Sequence, residues 1–134
     1  MAFSDTYRLS SHAVITNSDG QVLLLKANYG EKSWGLPGGA LDKGETIHHA
    51  LIRECHEELN CDVQIAYLSG VYYHTAFNSH AFIFRAFLPE HAEITLSDEH
   101  TDYRYFNLDE LFDVQKERVL DCLNFTSDVV SRVY

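Results

Sequence analysis

The sequence of 134 residues is poor in cysteine, in proline and in long apolar runs. Three cysteines are too few, and odd in number, for the disulfide framework of a small secreted protein, so we expect a reducing, cytoplasmic location. No apolar run exceeds four residues and the N-terminus lacks the apolar core of a signal peptide, so we expect no membrane association. The length fits one domain, which we take to span residues 1–134.

Basic residues are also scarce. The chain has 10 Lys and Arg against 20 Asp and Glu, for a formal net charge of −10. Such a surface repels a nucleic-acid backbone unless its basic groups are clustered, and no cluster occurs, so non-specific nucleic-acid binding is not expected. A protein of this charge that binds an anionic substrate needs a local source of positive charge.

What is present is a regular alternation of strand and helix patterns, which predicts a layered α/β sandwich. Five of the seven glycines fall between residues 30 and 44, which predicts one elaborate loop. The predicted elements are strands over 8–16 and 21–27 joined by a turn at 17–20, a helix over 45–60, strands over 62–73, 80–88 and 103–106, a capping box at Asn107 and Glu110, and a terminal helix over 114–132 with Val119 and Val130 on its buried side.

The helix over 45–60 carries three acidic residues on one face. Glu54, Glu57 and Glu58 are spaced i, i+3, i+4 and share a sector with apolar side chains. Carboxylates near a helix C-terminus oppose the helix dipole and repel one another. Their spacing brings the oxygens within reach of one hard cation such as magnesium (Mg²⁺). The alternative is a solvated edge with a helical ion pair between Arg53 and Glu57.

The segment from Gly39 to Cys61 resembles the signature of the Nudix hydrolases. That signature is Gly, five residues, Glu, seven residues, Arg-Glu, an aliphatic, any residue, Glu-Glu, any residue, Gly and an aliphatic. Its glycine and charged positions are matched by Gly39, Glu45, Arg53, Glu54, Glu57 and Glu58. Asn60 replaces the last glycine and tolerates a left-handed helix end, while Cys55 and Cys61 replace aliphatic residues.

The resemblance implies a Nudix-type α/β/α sandwich with a central mixed sheet. It further implies hydrolysis, dependent on Mg²⁺ or Mn²⁺, of a nucleoside diphosphate linked to another moiety, with release of a nucleoside monophosphate. Members of the family are commonly dimers, so the resemblance leaves a homodimer open, while the sequence itself does not define the oligomeric state. The alternative is a catalytically silent, Nudix-like module that binds a nucleotide as a sensor.

The resemblance also implies roles for individual residues. The implied metal ligands are the carboxylates of Glu54, Glu57 and Glu58 and the carbonyl of Gly38. Arg53 and Glu45 are implied as a supporting pair that holds the loop to the helix. Family members use as general base either a box glutamate, here Glu57 or Glu58, or an acid in a later loop. Glu99 is the candidate in that loop, with Asp98 and His100 as its neighbouring alternatives.

Three residues outside the box are candidates for substrate contact. Lys26 could reach a phosphate, Tyr73 could stack on a base, and Arg85 interrupts an apolar strand and could face a cleft. The alternative for each is a structural role. The family's markers for ADP-ribose and for dinucleoside polyphosphates are absent, since those positions hold Phe77 and then Asn78, so the substrate stays open.

Overall fold

The computed structural model describes residues 2–30 and 32–134. Within these residues the chain forms eight strands and two α-helices, with short 3₁₀ turns at Thr75–Phe77 and Leu108–Glu110. The elements in chain order are β1 (Arg8–Val14), β2 (Val22–Ala27), β3 (Trp34–Gly35), β4 (Gly38–Ala40), α1 (Ile47–Leu59), β5 (Gln64–His74), β6 (Ser79–Phe87), β7 (His100–Phe106), α2 (Asp113–Leu123) and β8 (Val130–Val133).

The strands form two sheets. The larger sheet has the order β4-β1-β6-β5-β8 and is mixed, because β1 runs parallel to β6 and β5 parallel to β8 while the other pairs are antiparallel. The smaller sheet has the order β3-β2-β7 and is antiparallel. The predicted mixed sheet is confirmed.

A helix covers each face of this arrangement. Successive residues of a strand point to opposite faces. Ala13 of β1 therefore packs in a cluster with Leu51 of α1, while the adjacent Val14 packs in a second cluster with Val119 and Cys122 of α2. The predicted α/β/α sandwich is confirmed. No helix in the described ranges is long and apolar enough to cross a membrane.

The predicted turn at 17–20 is present, with Gly20 N donating to Asn17 O at 3.1 Å. The strands beside it do not form a long hairpin. They pair at the bridge between Thr16 and Val22 and then diverge into different sheets. The glycine-rich segment, predicted as one loop, contains the short strands β3 and β4.

The helix predicted over 45–60 is confirmed as α1, and both of its ends are capped, although only the left-handed end at Asn60 was predicted. Thr46 Oγ1 accepts a hydrogen bond from His49 N at 3.1 Å, which satisfies one unpaired amide of the first turn. Asn60 has φ 55° and ψ 37°, the left-handed conformation that ends many helices. The capping box at Asn107 and Glu110 is also present, on a 3₁₀ turn.

The terminal helix predicted over 114–132 is wrong in its second half. α2 ends at Leu123, and Val130, predicted on its buried face, lies in β8 and pairs with Gly70 of β5. The residues between, 124–128, are Asn, Phe, Thr, Ser and Asp, and most of these types favour turns over helix. The β-branched residues that follow add a strand to the edge of β5.

Candidate active site

Strand β4 brings the backbone of Gly38 against α1. Gly38 N donates to Glu58 Oε1 at 2.7 Å. Gly38 has φ +141°, and a Cβ there would lie 2.7 Å from His12 Cα, so a side chain does not fit this approach. The role of the Gly38 carbonyl as a metal ligand stays a prediction.

Gly39 makes room for the carboxylate of Glu54. A Cβ at Gly39 would lie 2.7 Å from Glu54 Cδ and 2.8 Å from each of its oxygens. The Glu54 side chain is 15% exposed. Burial raises its pKa, the hydrogen bond from Arg53 lowers it, and the charges of Glu57 and Glu99 add to the increase.

Arg53 connects the loop to the acidic face of α1. Its Nε donates to Glu45 Oε2 at 2.7 Å and its Nη2 to Glu45 Oε1 at 2.9 Å, a paired geometry suited to a carboxylate. Nη2 also donates to Ala40 O at 3.0 Å, while Nη1 donates to Glu54 Oε1 at 3.0 Å and to Glu57 Oε2 at 3.3 Å. The hydrogen bonds from Arg53 lower the pKa of Glu45 to about 2.

Glu58 lies at the centre of a second group of polar side chains. Ligand atoms of Glu58, Glu99 and His100 all lie within 4.8 Å of one another. His100 Nε2 is 3.5 Å from Glu58 Oε2, and His100 Nδ1 is buried without a hydrogen-bond partner in the described part of the chain. Burial raises the pKa of Glu58 to about 8, the amide of Gly38 lowers it, and the charges of Glu54 and Glu99 add to the increase.

The loop before β7 carries Glu99 to this group. Asn28 anchors it, because its backbone N donates to Glu99 O at 3.0 Å and its side-chain amide donates to Asp98 O. The register between β2 and β7 also shifts at Ala27, which pairs with His100. The Glu99 side chain is exposed, and so is that of Asp98.

The donor set fits a divalent cation. The charges of Glu54, Glu57 and Glu99 all raise the pKa of the buried Glu58, so three further carboxylates lie within electrostatic range of Glu58. Oxygen donors in this number are the ligands that Mg²⁺ and Mn²⁺ take in proteins. A cation would remove the repulsion that the fold builds up here.

The residues predicted to contact substrate lie apart from the carboxylates in their described contacts. Lys26 is half-buried on β2, opposite Trp34 and Asp102. Tyr73 donates its hydroxyl to Asn78 at 2.6 Å, and its ring centroid lies 4.7 Å from that of His80. The structure does not bring these side chains to the acidic group, and their substrate role stays a prediction.

Arg85 lies on the α2 side of β6, because the adjacent Phe84 packs toward α1. Its Nη1 donates to Val14 O at 2.9 Å and its Nη2 to Thr16 Oγ1 at 2.8 Å. Its substrate role likewise stays a prediction. From the sequence, His100 was named only as an alternative to its neighbour Glu99. Its position next to Glu99 is the one feature of the sequence that places it near Glu58.

The chain belongs to the NUDIX family, since the profile of the NUDIX domain matches residues 6–123. An RNA pyrophosphohydrolase of Vibrio atlanticus (strain LGP32) is 46% identical over 59 residues, which cover 44% of this chain and 34% of that protein. The chain thus aligns with about a third of the length of this curated relative.

Solved structures share the fold over most of the chain. An ADP-ribose pyrophosphatase from Streptococcus suis 89-1591 superposes with a TM-score of 0.76 at 21% identity, covering 96% of this chain and 100% of that one. A MutT NUDIX hydrolase from Burkholderia pseudomallei superposes with a TM-score of 0.70 at 27% identity, covering 87% and 98%.

Proposed function

We propose that the protein is a hydrolase, dependent on a divalent cation, that cleaves a nucleoside diphosphate linked to another moiety and releases a nucleoside monophosphate or an equivalent phosphate product. One observation carries the proposal: a buried Glu58, held by the Gly38 amide, has three further carboxylates in electrostatic range. Membership of the NUDIX family and the relatives named RNA pyrophosphohydrolases support this class of reaction.

The carboxylates of Glu54, Glu57 and Glu58, with the Gly38 carbonyl, would hold Mg²⁺ or Mn²⁺. When bound, the cation neutralises the diphosphate and makes a water molecule more acidic at the site of attack. This answers the charge of −10, because the local positive field comes from the cation and not from the protein surface. Three free cysteines support a reducing, cytoplasmic location as part of the proposal.

The chain's own residues fix the geometry of these ligands. Glu58 is oriented by the Gly38 amide, while Arg53 holds Glu54 and Glu57 from one guanidinium and is itself held by Glu45. Such supporting contacts determine ligand orientation, and their loss typically lowers metal affinity or activity about tenfold to a hundredfold. We assign Arg53 and Glu45 to positioning.

We infer that Glu99 takes the proton from the attacking water. Its carboxylate is exposed beside Glu58, so it can meet solvent and substrate, whereas Glu58 is buried and committed to the Gly38 amide. Glu99→Gln should lower kcat by about 10²- to 10⁴-fold, and a matching loss of Mg²⁺ affinity in calorimetry would identify Glu99 as a metal ligand and not as the base. A wild-type kcat in that variant would transfer the role to Glu57 or Glu58.

Product analysis by mass spectrometry tests the proposal and names the substrate. The protein is incubated with nucleoside triphosphates, ADP-ribose, nucleotide sugars, dinucleoside polyphosphates and 5′-triphosphorylated RNA, with Mg²⁺ or with chelator, and Glu58→Gln is the control. The expected result is metal-dependent release of a nucleoside monophosphate or pyrophosphate that is lost in the variant. Binding without cleavage of any compound would instead support the sensor module.

A further inference from the structure

A cavity of about 590 Å³ lies on the α2 side of the larger sheet. His12 and Leu36 form part of its wall. His12 is the register partner of Gly38, and a Cβ at Gly38 would lie 2.9 Å from His12 Nδ1. The cavity and the carboxylates therefore meet at Gly38, whose amide holds Glu58. A volume of this size suits a nucleotide-sized ligand.

Arg118 of α2 lines this cavity and has no carboxylate partner among residues 2–30 and 32–134. Its Nη1 is 3.2 Å from His74 Nε2, and its Nη2 donates to Gln115 Oε1 at 2.6 Å. Its Nε is buried and has no hydrogen-bond partner among the described residues. Burial of a guanidinium beside neutral groups is unfavourable, and it lowers the pKa of Arg118.

The lining of the cavity differs in charge from the rest of the protein. The chain has twice as many acidic as basic residues, yet the described lining contains Arg8, Arg118, His12 and His74 and no aspartate or glutamate. The guanidinium therefore has no counter-charge in this lining.

Two exposed aromatic side chains also line the cavity. Tyr29 is 63% exposed and Phe77 is 66% exposed, although both rings are large and apolar. Exposed aromatic rings beside a cationic group offer stacking surfaces for a base. The cavity thus combines the features that recognise a nucleoside with an unpaired cation.

We propose that this cavity binds a phosphate group of the substrate other than the diphosphate that is hydrolysed, with Arg118 as its principal donor. The proposal rests on the proposed function and specifies its substrate class: a nucleotide with a second phosphate on its ribose. That phosphate is either a free monoester or the diester link to a following nucleotide. A guanidinium suits it because its planar N–H groups match phosphate oxygens.

Calorimetry in the presence of chelator tests the proposal with three probes: adenosine 5′-monophosphate, adenosine 3′,5′-bisphosphate and the 5′-phosphorylated dinucleotide pApA. The wild-type protein should bind one or both of the latter two about tenfold to a hundredfold more tightly than the monophosphate. Preference for the bisphosphate alone indicates a monoester, and preference for pApA indicates a diester. Equal Kd values for all three probes overturn the proposal, whatever the variants do.

Arg118→Gln should remove this preference and leave the Kd of the monophosphate unchanged, and Arg118→Lys should retain part of it. Arg104→Gln, an equal change of charge at a side chain 57% exposed on β7, should keep the full preference. A folded Arg118→Gln protein with the wild-type preference would refute the role of Arg118. Glu58→Gln should keep the preference, so loss of hydrolysis and loss of this site are distinguishable.

Discussion

Glu58→Gln should abolish turnover and should raise the free energy of unfolding of the metal-free protein. The amide oxygen of glutamine can still accept the hydrogen bond from Gly38, and its shape is almost that of glutamate. What disappears is a negative charge on a residue that is 4% exposed and in range of other carboxylates. If Glu58 only stabilised the fold, this substitution would lower the free energy of unfolding. If Glu58 is a cation ligand, the substitution should raise the free energy of unfolding of the metal-free protein.

The size of the gain follows from the pKa of Glu58, which burial raises from 4.5 to about 8. A carboxyl group with a higher pKa in the folded protein binds more protons when folded, so the free energy of unfolding falls as pH rises between the two values. At about 1.4 kcal/mol for each tenfold change in proton affinity, the full loss is up to about 5 kcal/mol above pH 8.

Buried histidines act in the opposite direction at lower pH. Burial lowers the pKa values of His12, His74 and His100, so the unfolded chain binds more protons than the folded one below about pH 6.5. Their contribution to stability is lost as pH falls and is fully present above that range. The difference between wild type and variant at each pH cancels the contributions of His12 and His74, whereas that of His100, which lies beside Glu58, changes with the substitution.

Urea unfolding in chelator, followed by circular dichroism from pH 5 to 8.5, measures this difference. The stability advantage of Glu58→Gln should be small at pH 5 and should grow by several kcal/mol toward pH 8.5. Saturating Mg²⁺ should stabilise the wild type, more at pH 8 than at pH 5, and should have little effect on the variant. A difference that does not change with pH would refute the argument from burial.

Three further substitutions test the geometry around this residue. Gly39→Ala should lower kcat and Mg²⁺ affinity, because its Cβ would lie 2.7 Å from Glu54 Cδ. Gly35→Ala is the matched control, because a Cβ at Gly35 would meet no atom within 4 Å. Equal effects at both positions would contradict the packing argument. Arg53→Lys should lower kcat about tenfold to a hundredfold, because an ammonium group lacks the paired geometry, and an unchanged kcat would remove its positioning role. Because Asn60 has φ 55°, Asn60→Gly should raise the free energy of unfolding by up to about 1 kcal/mol, and Asn60→Ala should lower it by a similar amount. Equal stabilities of the two variants in urea would count against a strained helix end.

Local patterns predicted much of the fold. The helix α1, its cap at Thr46 and its left-handed end at Asn60 depend on neighbours within a few residues, and the sequence contains all of them. The prediction of a terminal helix was wrong at Val130, where pairing with a distant strand determines the secondary structure. Val130 follows a polar turn, but it becomes a strand residue only because Gly70 and its neighbours leave an edge of β5 open.

In the site, too, contacts within one short segment were easier to predict than contacts between distant segments. The contact of Arg53 with Glu45 joins residues of one short segment and was implied by the resemblance to the family, whereas the packing of Gly39 against Glu54 was not predicted. The approach of Glu99 to Glu58 depends on the pairing of β7 with β2 and on its irregular register, which no local pattern encodes. The acidic loop residue could be named as a candidate, but its contact could not.

The two unfavourable features of the structure have opposite signs and meet at one backbone position. On one side of Gly38 a buried carboxylate, Glu58, lies near like charges, and on the other a cavity holds the guanidinium of Arg118, which meets no counter-charge in the described lining. Each feature alone destabilises the fold, and each is relieved by a ligand of the opposite charge. A cation at the carboxylates and a phosphate at the guanidinium are supplied together by one cation-bound nucleotide that extends across Gly38. Such a substrate would bind through two places where the unliganded chain buries charge at a cost.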